Sequence, residues 1–176
     1  LQLLAGNSVV LTNGTLKVAD SAREKFYILV QNYANLTVSG MTLDGTNLDK
    51  WSATDGDSYA LSINSGNVSI SGSYIQANNE GALAYAFDVC QYATYPAPAV
   101  TVSGGTFVGN VDTGSIGGGS LTITGGTFTD DVSAYVAEGY ELFGGSVRKE
   151  TLVTPLTGGT VTREDDGTIV VTVENV

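Results

Sequence analysis

One long segment of the sequence concentrates the side chains best suited to bind a sugar. Segment 44–59 contains the only tryptophan of the chain, Trp51, together with Asp49, Asp55 and Asp57. The apolar face of a pyranose stacks on an exposed aromatic ring, and carboxylates bond to its hydroxyl groups. We therefore predict a ligand-binding loop centred on Trp51, because long loops on rigid scaffolds often carry binding functions. The alternative is that Trp51 folds back as a plug over neighbouring strands, since large aromatic side chains are mostly buried.

The same loop raises the question of calcium. Ca²⁺ favours several oxygen ligands from carboxylates and carbonyls, and Asp55 and Asp57 supply part of such a shell. The spacing of an EF-hand is absent, however, and aspartate and glycine are ordinary turn residues. We predict no metal site and no cofactor, with calcium in this loop as the open alternative.

A second aromatic group follows further along the chain, at Tyr85, Phe87, Tyr92 and Tyr95. Strand alternation places Tyr85 and Phe87 on one face, which predicts that both belong to the core, and it leaves Tyr92 and Tyr95 in the next loop. The two loop tyrosines are our second candidate for ligand contact. Their alternative role is to cover the edge of the fold at the corner 96–98, because proline fixes a corner without needing a ligand.

The strands that must position these residues are indicated by a short repeated sequence motif, here called the repeated phrase. Each copy alternates apolar and polar residues and ends in glycine or asparagine, which is typical of a half-buried strand followed by a forced bend. The copies are Val9–Asn13, Leu36–Gly40, Val68–Gly72, Val100–Gly104 and Leu121–Gly125. Glycine and asparagine both tolerate the left-handed backbone of a sharp bend. We expect Gly104 and Gly125 to occupy corners that are closed to larger side chains.

A short second strand follows each bend, and a third apolar segment lies between successive copies. The third segments are Phe26–Val30, Tyr59–Ile63, Ala84–Val89 and a short one around Ser115–Ile116. Three strands per coil, here called a rung, predict an all-β parallel β-helix in which the apolar residues of neighbouring rungs stack in register. A single β-sandwich is the alternative, but sandwich strands seldom preserve one phrase so closely.

Composition and charge exclude several classes of function. The 176 residues include 23 glycines and only seven Lys or Arg, and the net charge is −11. We expect no nucleic-acid partner, because phosphate binding needs clustered basic side chains. No apolar run is long enough for a transmembrane helix, so we expect no membrane insertion. Cys90 is the only cysteine, which excludes an intrachain disulfide and favours a small buried apolar role for it.

The outward positions of the repeated phrase form a row of hydroxyl groups. The row consists of Thr37, Ser69, Thr101 and Thr122. Regular threonine rows on flat solenoids resemble ice-binding faces, but threonine is a favoured residue at exposed strand positions in any case. Ice binding is therefore only a minor alternative.

After Phe128 the repeated pattern stops. A short helical turn at 132–137, capped by Asp130 or Asp131 and ended by Gly139, is expected to seal the last rung. Two apolar/polar runs around Asp165-Asp-Gly then predict a β-hairpin of 159–163 and 168–173.

These features divide the chain into two parts. Residues 1–142 form the rungs with their cap, and residues 143–176 form a C-terminal hairpin or capping segment. We expect the chain to be a piece of a larger protein.

Several segments of the chain resemble a known repeat family. They are the Gly-Gly-Thr-Phe rungs and the segments 31–37, 86–92 and 127–140. They resemble the pectin-lyase-like right-handed parallel β-helix repeats of large secreted or cell-surface, adhesin-like proteins of gut bacteria, over about residues 9 to 142. The resemblance implies a right-handed coil and an extracellular or cell-surface location. It also implies that the partner is a host or bacterial glycan or a surface protein.

The same fold houses pectate lyases and polygalacturonases, so catalysis has to be considered on its own. Such lyases resemble one another in using an arginine base beside Asp-bound calcium, and the hydrolases in using several aspartates with histidine and a basic pair. This chain has no histidine, and Arg23, Arg148 and Arg163 lie away from the central rungs. We predict a non-catalytic module for adhesion or glycan binding. The alternatives are a structural spacer and a carbohydrate-active enzyme, for which Asp88 and Asp112 are the first acids to consider.

Overall fold

The chain forms stacked short strands almost throughout. The structure, a computed structural model, describes residues 1–49, 56–78, 83–114, 116–150, 159–164, 166 and 168–173. Two 3₁₀ turns, Asp20–Ala22 and Ser133–Tyr135, accompany the strands in these ranges. The strands are β1 (Gln2–Leu3), β2 (Ser8–Thr12), β3 (Thr15–Lys17), β4 (Ile28–Asn32), β5 (Asn35–Ser39), β6 (Thr42–Asp44), β7 (Ser58–Ile63), β8 (Asn67–Ser71), β9 (Ser73–Gln76), β10 (Ala84–Val89), β11 (Ala99–Val108), β12 (Asn110–Asp112), β13 (Ser120–Phe128), β14 (Tyr140–Phe143), β15 (Ser146–Lys149), β16 (Gly159–Arg163) and β17 (Ile169–Val173).

The strands are arranged as a parallel β-helix, as the repeats predict. Sheet A consists of β1, β4, β7, β10 and β12 in that order, and every neighbouring pair is parallel. Sheet B stacks the repeated phrases β2, β5, β8, β11 and β13 in parallel. The strands β3, β6 and β9 form the third side and join the second half of β11. The parallel stacking of consecutive rungs confirms the solenoid and rules out the sandwich.

The repeated phrases stack residue on residue. Leu36 pairs with Val68, which pairs with Val100, and Val100 pairs with Leu121. These four inward side chains are all buried. The last rung differs from the prediction in one respect, because its sheet A strand is β12 rather than the segment around Ser115–Ile116. Ile116 lies in a loop, and Ser115 is outside the described residues.

The bends use the residues that the pattern indicated, with a shift in the later rungs. Asn13, Gly40 and Gly72 have φ angles of 53°, 61° and 53°, the left-handed backbone that glycine and asparagine tolerate. In the later rungs this role passes to the next glycine, at Gly105 and Gly126, with φ of 129° and 118°.

The expected closed corners are found at one of the two predicted glycines. A Cβ atom on Gly125 would lie 2.5 Å from the carbonyl oxygen of Ser103, so this corner excludes any side chain. A Cβ atom on Gly104 would lie 3.8 Å from its nearest neighbour, the backbone nitrogen of Gly72. The prediction for Gly104 is therefore wrong, because the chain leaves room on that side of the bend.

The core is one continuous stack of apolar side chains inside the coil. Three aromatic rings from successive rungs run through it: the ring centroids of Phe87 and Phe107 are 5.4 Å apart, and those of Phe107 and Phe128 are 4.6 Å apart. The expected core position of Phe87 is thus confirmed. The expected core position of Tyr85 is wrong, since Tyr85 is only partly buried and stacks on Tyr59 at 5.1 Å.

The strands of sheet A break their alternation at one point, which explains the position of Tyr85. Consecutive apolar residues are buried in each of three strands, at 29–30, 60–61 and 86–87, and in the last two strands the buried run continues to residues 63 and 89. The register between β10 and β12 also shifts between Tyr85 and Phe87. Such an irregularity moves the following side chains to the opposite face, so Tyr85 and Asp88 both belong to the outer face of sheet A.

The last rung is sealed at its C-terminal side. The carboxylate of Asp131 accepts a hydrogen bond from the backbone N–H of Ser133 at 3.0 Å, and Val132 is fully buried. The 3₁₀ turn is shorter than expected and is followed by Val136, so the prediction that Gly139 ends it is wrong; Gly139, with a φ of 79°, lies in the next turn, just before β14. Beyond it, β14 and β15 form an antiparallel hairpin that pairs with β13, an element the sequence pattern did not indicate.

The second predicted hairpin is present. Strands β16 and β17 pair antiparallel from Gly159 opposite Val173 to Arg163 opposite Ile169. Neither of the two 3₁₀ turns nor any other helix in the described ranges has the length and apolar character of a membrane-spanning helix.

Candidate functional site

The predicted sugar-binding loop is described only at its two ends. Trp51 and Asp55 lie outside the described residues, so the platform centred on Trp51 stays a prediction. The exposed Asp49 donates its backbone N–H to the carbonyl oxygen of Phe26 at 2.7 Å. The Asp57 carboxylate accepts a hydrogen bond from the Tyr59 hydroxyl at 3.1 Å. Both described acids are therefore held near the start of β7.

The second predicted group is assembled around a residue that the sequence did not single out. The exposed rings of Tyr92 and Tyr95 pack on the half-buried ring of Tyr33, which directly follows β4. The ring centroids of Tyr33 and Tyr92 are 6.1 Å apart at 71°, and those of Tyr33 and Tyr95 are 4.7 Å apart at 40°. We call these three residues the tyrosine platform. Its rings present a combined aromatic surface at the end of the sheet A strands.

Backbone hydrogen bonds hold the loop of the platform in place. The N–H of Tyr92 donates to the Asn64 carbonyl at 3.3 Å, and the N–H of Tyr95 donates to the Tyr92 carbonyl at 3.1 Å. The side-chain amide of Gln91 donates to the Tyr95 carbonyl at 3.1 Å. Ala93 takes a left-handed φ of 51°, which turns the chain back toward Tyr33. The two loop tyrosines are thereby fixed before any ligand arrives.

The hydroxyl group of Tyr33 stays neutral, and its oxygen already accepts one hydrogen bond. Burial raises its pKa above the ordinary value, and the neighbouring Tyr92 and Tyr95 raise it further. Its hydroxyl oxygen accepts a hydrogen bond from the Gln31 side-chain amide at 2.9 Å. The hydroxyl hydrogen of a neutral phenol can be donated in turn. The platform therefore combines aromatic surface with a hydrogen-bonding edge.

A cavity of about 270 Å³ adjoins the platform at the corner between sheets A and B. We call it the corner cavity. Tyr33 forms one wall, and Asn35, Ser65, Asn67 and Pro96 form others. The Ser65 hydroxyl donates to the Pro96 carbonyl at 2.7 Å, which ties the tyrosine loop to this corner. The proline corner therefore also shapes a cavity, and the edge-covering role suggested for Tyr92 and Tyr95 stays the alternative to ligand contact.

A row of polar side chains runs across the outer face of sheet A. Gln31, Ser62, Asp88 and Asp112 are register partners on four neighbouring strands. The pair of acids considered for catalysis, Asp88 and Asp112, therefore lies on adjacent rungs. Asp88 is buried, whereas Asp112 is partly exposed.

The environment of Asp88 favours its protonated form. Burial raises the pKa of this carboxyl to about 7, because the charged form loses its hydration. Hydrogen bonds from the Ser62 hydroxyl and from the Ile63 backbone N–H, the latter at 3.1 Å, offset only part of this effect. The nearby Asp112 adds to the rise. Asp88 is thus a buried acid that titrates near neutral pH.

The other acids near this face are used by the backbone or by neighbouring side chains. The Asp112 carboxylate accepts from the Gly114 N–H, and that of Asp130 accepts from the Val111 N–H, both at 2.8 Å. Burial, followed by the charge of Asp57, raises the pKa of Tyr59 far above its ordinary range. In the described part of the chain, no group of three or more Asp, Glu, His or Cys residues is placed to hold a metal ion. The calcium alternative involves Asp55, which lies outside that part.

The described candidate residues fall into two separate regions. Asp49 and Asp57 lie before β7, whereas Tyr92 and Tyr95 lie beyond the end of β10. A six-residue strand is about 20 Å long, so these regions are at opposite ends of sheet A. Cys90, expected to be buried, is half-buried beside the platform loop. The only sequence clue to Tyr33 was its place just before a repeated phrase, which Tyr95 shares.

The chain matches no protein-family model, no curated protein and no solved structure. The pectin-lyase-like resemblance therefore stays a prediction from the quoted segments.

Proposed function

We propose that the chain is a non-catalytic glycan-binding module of a bacterial surface or secreted protein, and that the tyrosine platform is its contact site. The observation that carries this proposal is the packing of Tyr92 and Tyr95 on Tyr33 at the mouth of the corner cavity. Solvent-exposed aromatic rings suit the apolar face of a sugar, and amides beside them suit its hydroxyl groups.

The exposure of the platform supports a binding role over a purely structural one. Tyr92 is 54% exposed and Tyr95 is 38% exposed, although both rings are held in fixed positions. Rings that are ordered before binding lose little conformational entropy when a ligand arrives. Gln31, which bonds to Tyr33, and Asn35, which lines the corner cavity, provide amides at the edge of the platform.

The cellular setting is part of the same proposal. The resemblance to repeats of secreted and wall-attached adhesins favours an extracellular or cell-surface location. A host or bacterial glycan is then the expected partner, with a surface protein as the alternative. The solenoid would serve as a rigid support that presents the platform at a fixed distance from its neighbours in the chain.

A glycan array followed by titration of the best ligand tests the proposal. We expect Tyr95→Ala to weaken binding by about 2 kcal/mol, or about thirtyfold, the scale of a central aromatic contact. The matched control is Tyr74→Ala, because Tyr74 is 39% exposed, about the same as Tyr95, but lies on β9 on another side of the coil. If the two substitutions have equal effects, or if the parent protein binds no glycan, the tyrosine platform is not the contact site.

A second candidate function is glycoside hydrolysis. The observation in its favour is the register of Asp88 with Asp112 on adjacent rungs, together with the raised pKa of Asp88. Glycosidases pair one protonated and one ionised carboxyl group across the scissile bond. Against this function, Asp88 is only 5% exposed and accepts a hydrogen bond from the Ile63 backbone. A buried carboxyl that is already bonded has little access to a glycosidic oxygen.

A further inference from the structure

A second cavity lies on the outer face of sheet B. It has a volume of about 440 Å³ and crosses β2, β5, β8 and β11. We call it the strand trough. Its lining includes Val10, Asn35, Thr37, Asn67, Ser69 and Thr101. The size is within the range of small-molecule binding sites in proteins, and the length of the trough follows the stacking direction of the rungs.

The strand trough is continuous with the corner cavity beside the tyrosine platform. Asn35 and Asn67 line both cavities. Tyr33 lies at the other end of the corner cavity, so one groove leads from the platform around the corner onto sheet B. A ligand that begins on the platform can therefore extend into the trough without leaving the protein surface.

The backbones of two neighbouring rungs approach closely at this corner. Gly66 lies at the turn into β8 with a φ of 89°, and a Cβ atom there would overlap the Ala34 carbonyl group. The Asn35 side-chain oxygen accepts a hydrogen bond from the Asn67 backbone N–H at 2.9 Å, which fixes the Asn35 amide. This hydrogen bond links the two neighbouring rungs at the point where the cavities meet.

The groups that line the groove suit sugar hydroxyls. Among the described residues, no hydrogen bond uses the side-chain amide nitrogen of Asn35 or of Asn67, and both side chains are exposed. The Ser69 hydroxyl donates to the Thr37 hydroxyl at 3.3 Å, so the two form a connected pair of donor and acceptor groups. Val10, 65% exposed, adds an apolar contact at the first rung. Amides and hydroxyls both donate to and accept from sugar hydroxyl groups.

The electrostatics of the groove limit the class of sugar. Among the residues that the structure describes, those lining the two cavities include no ionisable acid or base other than the neutral Tyr33. The whole chain has a net charge of −11. Uronic acids and sulfated sugars would therefore meet repulsion with no cation to offset it. Neutral sugars meet no such penalty.

We propose that this groove binds a neutral oligosaccharide that extends over more than one ring. One sugar stacks on the tyrosine platform, and the following sugars pass Asn35 and Asn67 into the strand trough. This inference rests on the proposed glycan-binding function and adds to it the class of the glycan and the direction in which it lies. It makes affinity depend on oligosaccharide length, which a platform alone would not do.

The experiment measures affinity by calorimetry for neutral gluco-, manno-, xylo- and N-acetylglucosamine oligosaccharides from one ring to six, with oligogalacturonides of the same lengths as charged probes. Ser69→Trp fills the middle of the strand trough. Thr122→Trp is the matched control, because Thr122 continues the same outward row but does not line the trough. Circular dichroism and melting curves establish that both variants are folded.

For the parent protein and Thr122→Trp, we expect affinity to rise at least tenfold from the shortest bound ligand to the longest. Ser69→Trp should retain the affinity for the shortest ligand and lose the gain with length. If Ser69→Trp keeps the full gain with length while Tyr95→Ala still weakens binding about thirtyfold, the trough is overturned and the platform remains supported. Oligogalacturonides that bind as tightly as neutral oligosaccharides would overturn the neutral class. Failure of every probe to bind would overturn both proposals.

Discussion

The rings of Tyr33 and Tyr95 pack at 4.7 Å although they belong to different rungs of the coil. Tyr33 follows β4 and Tyr95 lies in the loop after β10, and β7 separates these two strands in sheet A, so the contact bridges loops of strands that are not direct neighbours. Each tyrosine alone could be an ordinary edge residue, but the contact between their rings makes them part of one aromatic surface. This surface is the basis of the proposed function, and the predictions below concern its surroundings and the scaffold that carries it.

Replacement of Trp51 by alanine should change glycan affinity by less than twofold. The sequence-based prediction of a binding loop centred on Trp51 would instead imply a loss of about 2 kcal/mol, the scale of a central hot spot. The described ends of its loop, at Asp49 and Asp57, lie at the opposite end of sheet A from the tyrosine platform. Calorimetry on Trp51→Ala beside Tyr95→Ala measures the difference. A thirtyfold loss for Trp51→Ala with an intact platform would restore the loop as the contact site.

The stability of the protein should fall as the pH rises from about 4 to about 7. The folded state keeps a proton on Asp88 up to a pKa of about 7, whereas the unfolded chain releases it near the ordinary aspartate pKa of about 3.9. The folded state therefore binds more protons in this interval, and the free energy of unfolding decreases with pH. Asp88→Asn should remove this dependence, because a neutral amide oxygen can still accept from the Ile63 N–H.

Melting curves of both proteins across this pH range provide the measurement. At pH 7.5 we expect Asp88→Asn to melt several degrees higher than the parent, since about 1 kcal/mol corresponds to roughly 2–4 °C in a chain of this size. At pH 4 the two should melt alike. Asp130→Asn is a suitable control, because Asp130 is only partly buried and its carboxylate also accepts a backbone hydrogen bond, from the Val111 N–H. A parallel pH profile for Asp88→Asn would contradict the prediction.

Alanine substitutions at two glycines of the repeated phrase should have different effects. At Gly125 the new Cβ atom would meet the Ser103 carbonyl oxygen at 2.5 Å, so the backbone must shift. We expect Gly125→Ala to cost about 1–3 kcal/mol. At Gly104 the nearest atom is 3.8 Å away, and the change should be tolerated. Chemical denaturation of the two variants gives the comparison, and equal stabilities would remove the steric account of the corner.

The isolated chain should not cleave acidic or neutral plant polysaccharides, with or without calcium. The chain has no histidine, and Arg148 is paired with Glu141 at 3.0 Å on the C-terminal hairpin rather than on the central rungs. Assays for new reducing ends and for unsaturated products test this. Products that form with the parent and disappear with Asp88→Asn would establish the hydrolase alternative.

Much of the scaffold could be predicted from the sequence because a solenoid repeats its local pattern. The alternation in Leu36–Gly40 and its copies determined the strands, and the terminal glycine or asparagine determined the bends of the first three copies; in the last two the left-handed bend lies one residue later, at Gly105 and Gly126. The antiparallel hairpin of β16 and β17 followed from local turn chemistry in the same way. The hairpin of β14 and β15 did not, because its place is set by pairing with β13, a contact between distant segments.

The sequence by itself determined the parallel β-helix, since strand period, bend residues and repeat length are all local properties that recur in each rung. Only the tertiary structure decided which side chains meet outside the coil. Tyr85 faces outward because the alternation of sheet A shifts by one residue, a detail that depends on the pairing of β10 with its neighbours. Tyr33 joins Tyr92 and Tyr95 because stacking of the rungs brings their loops to one corner. The sequence of a single repeat does not determine how the loops of different rungs meet.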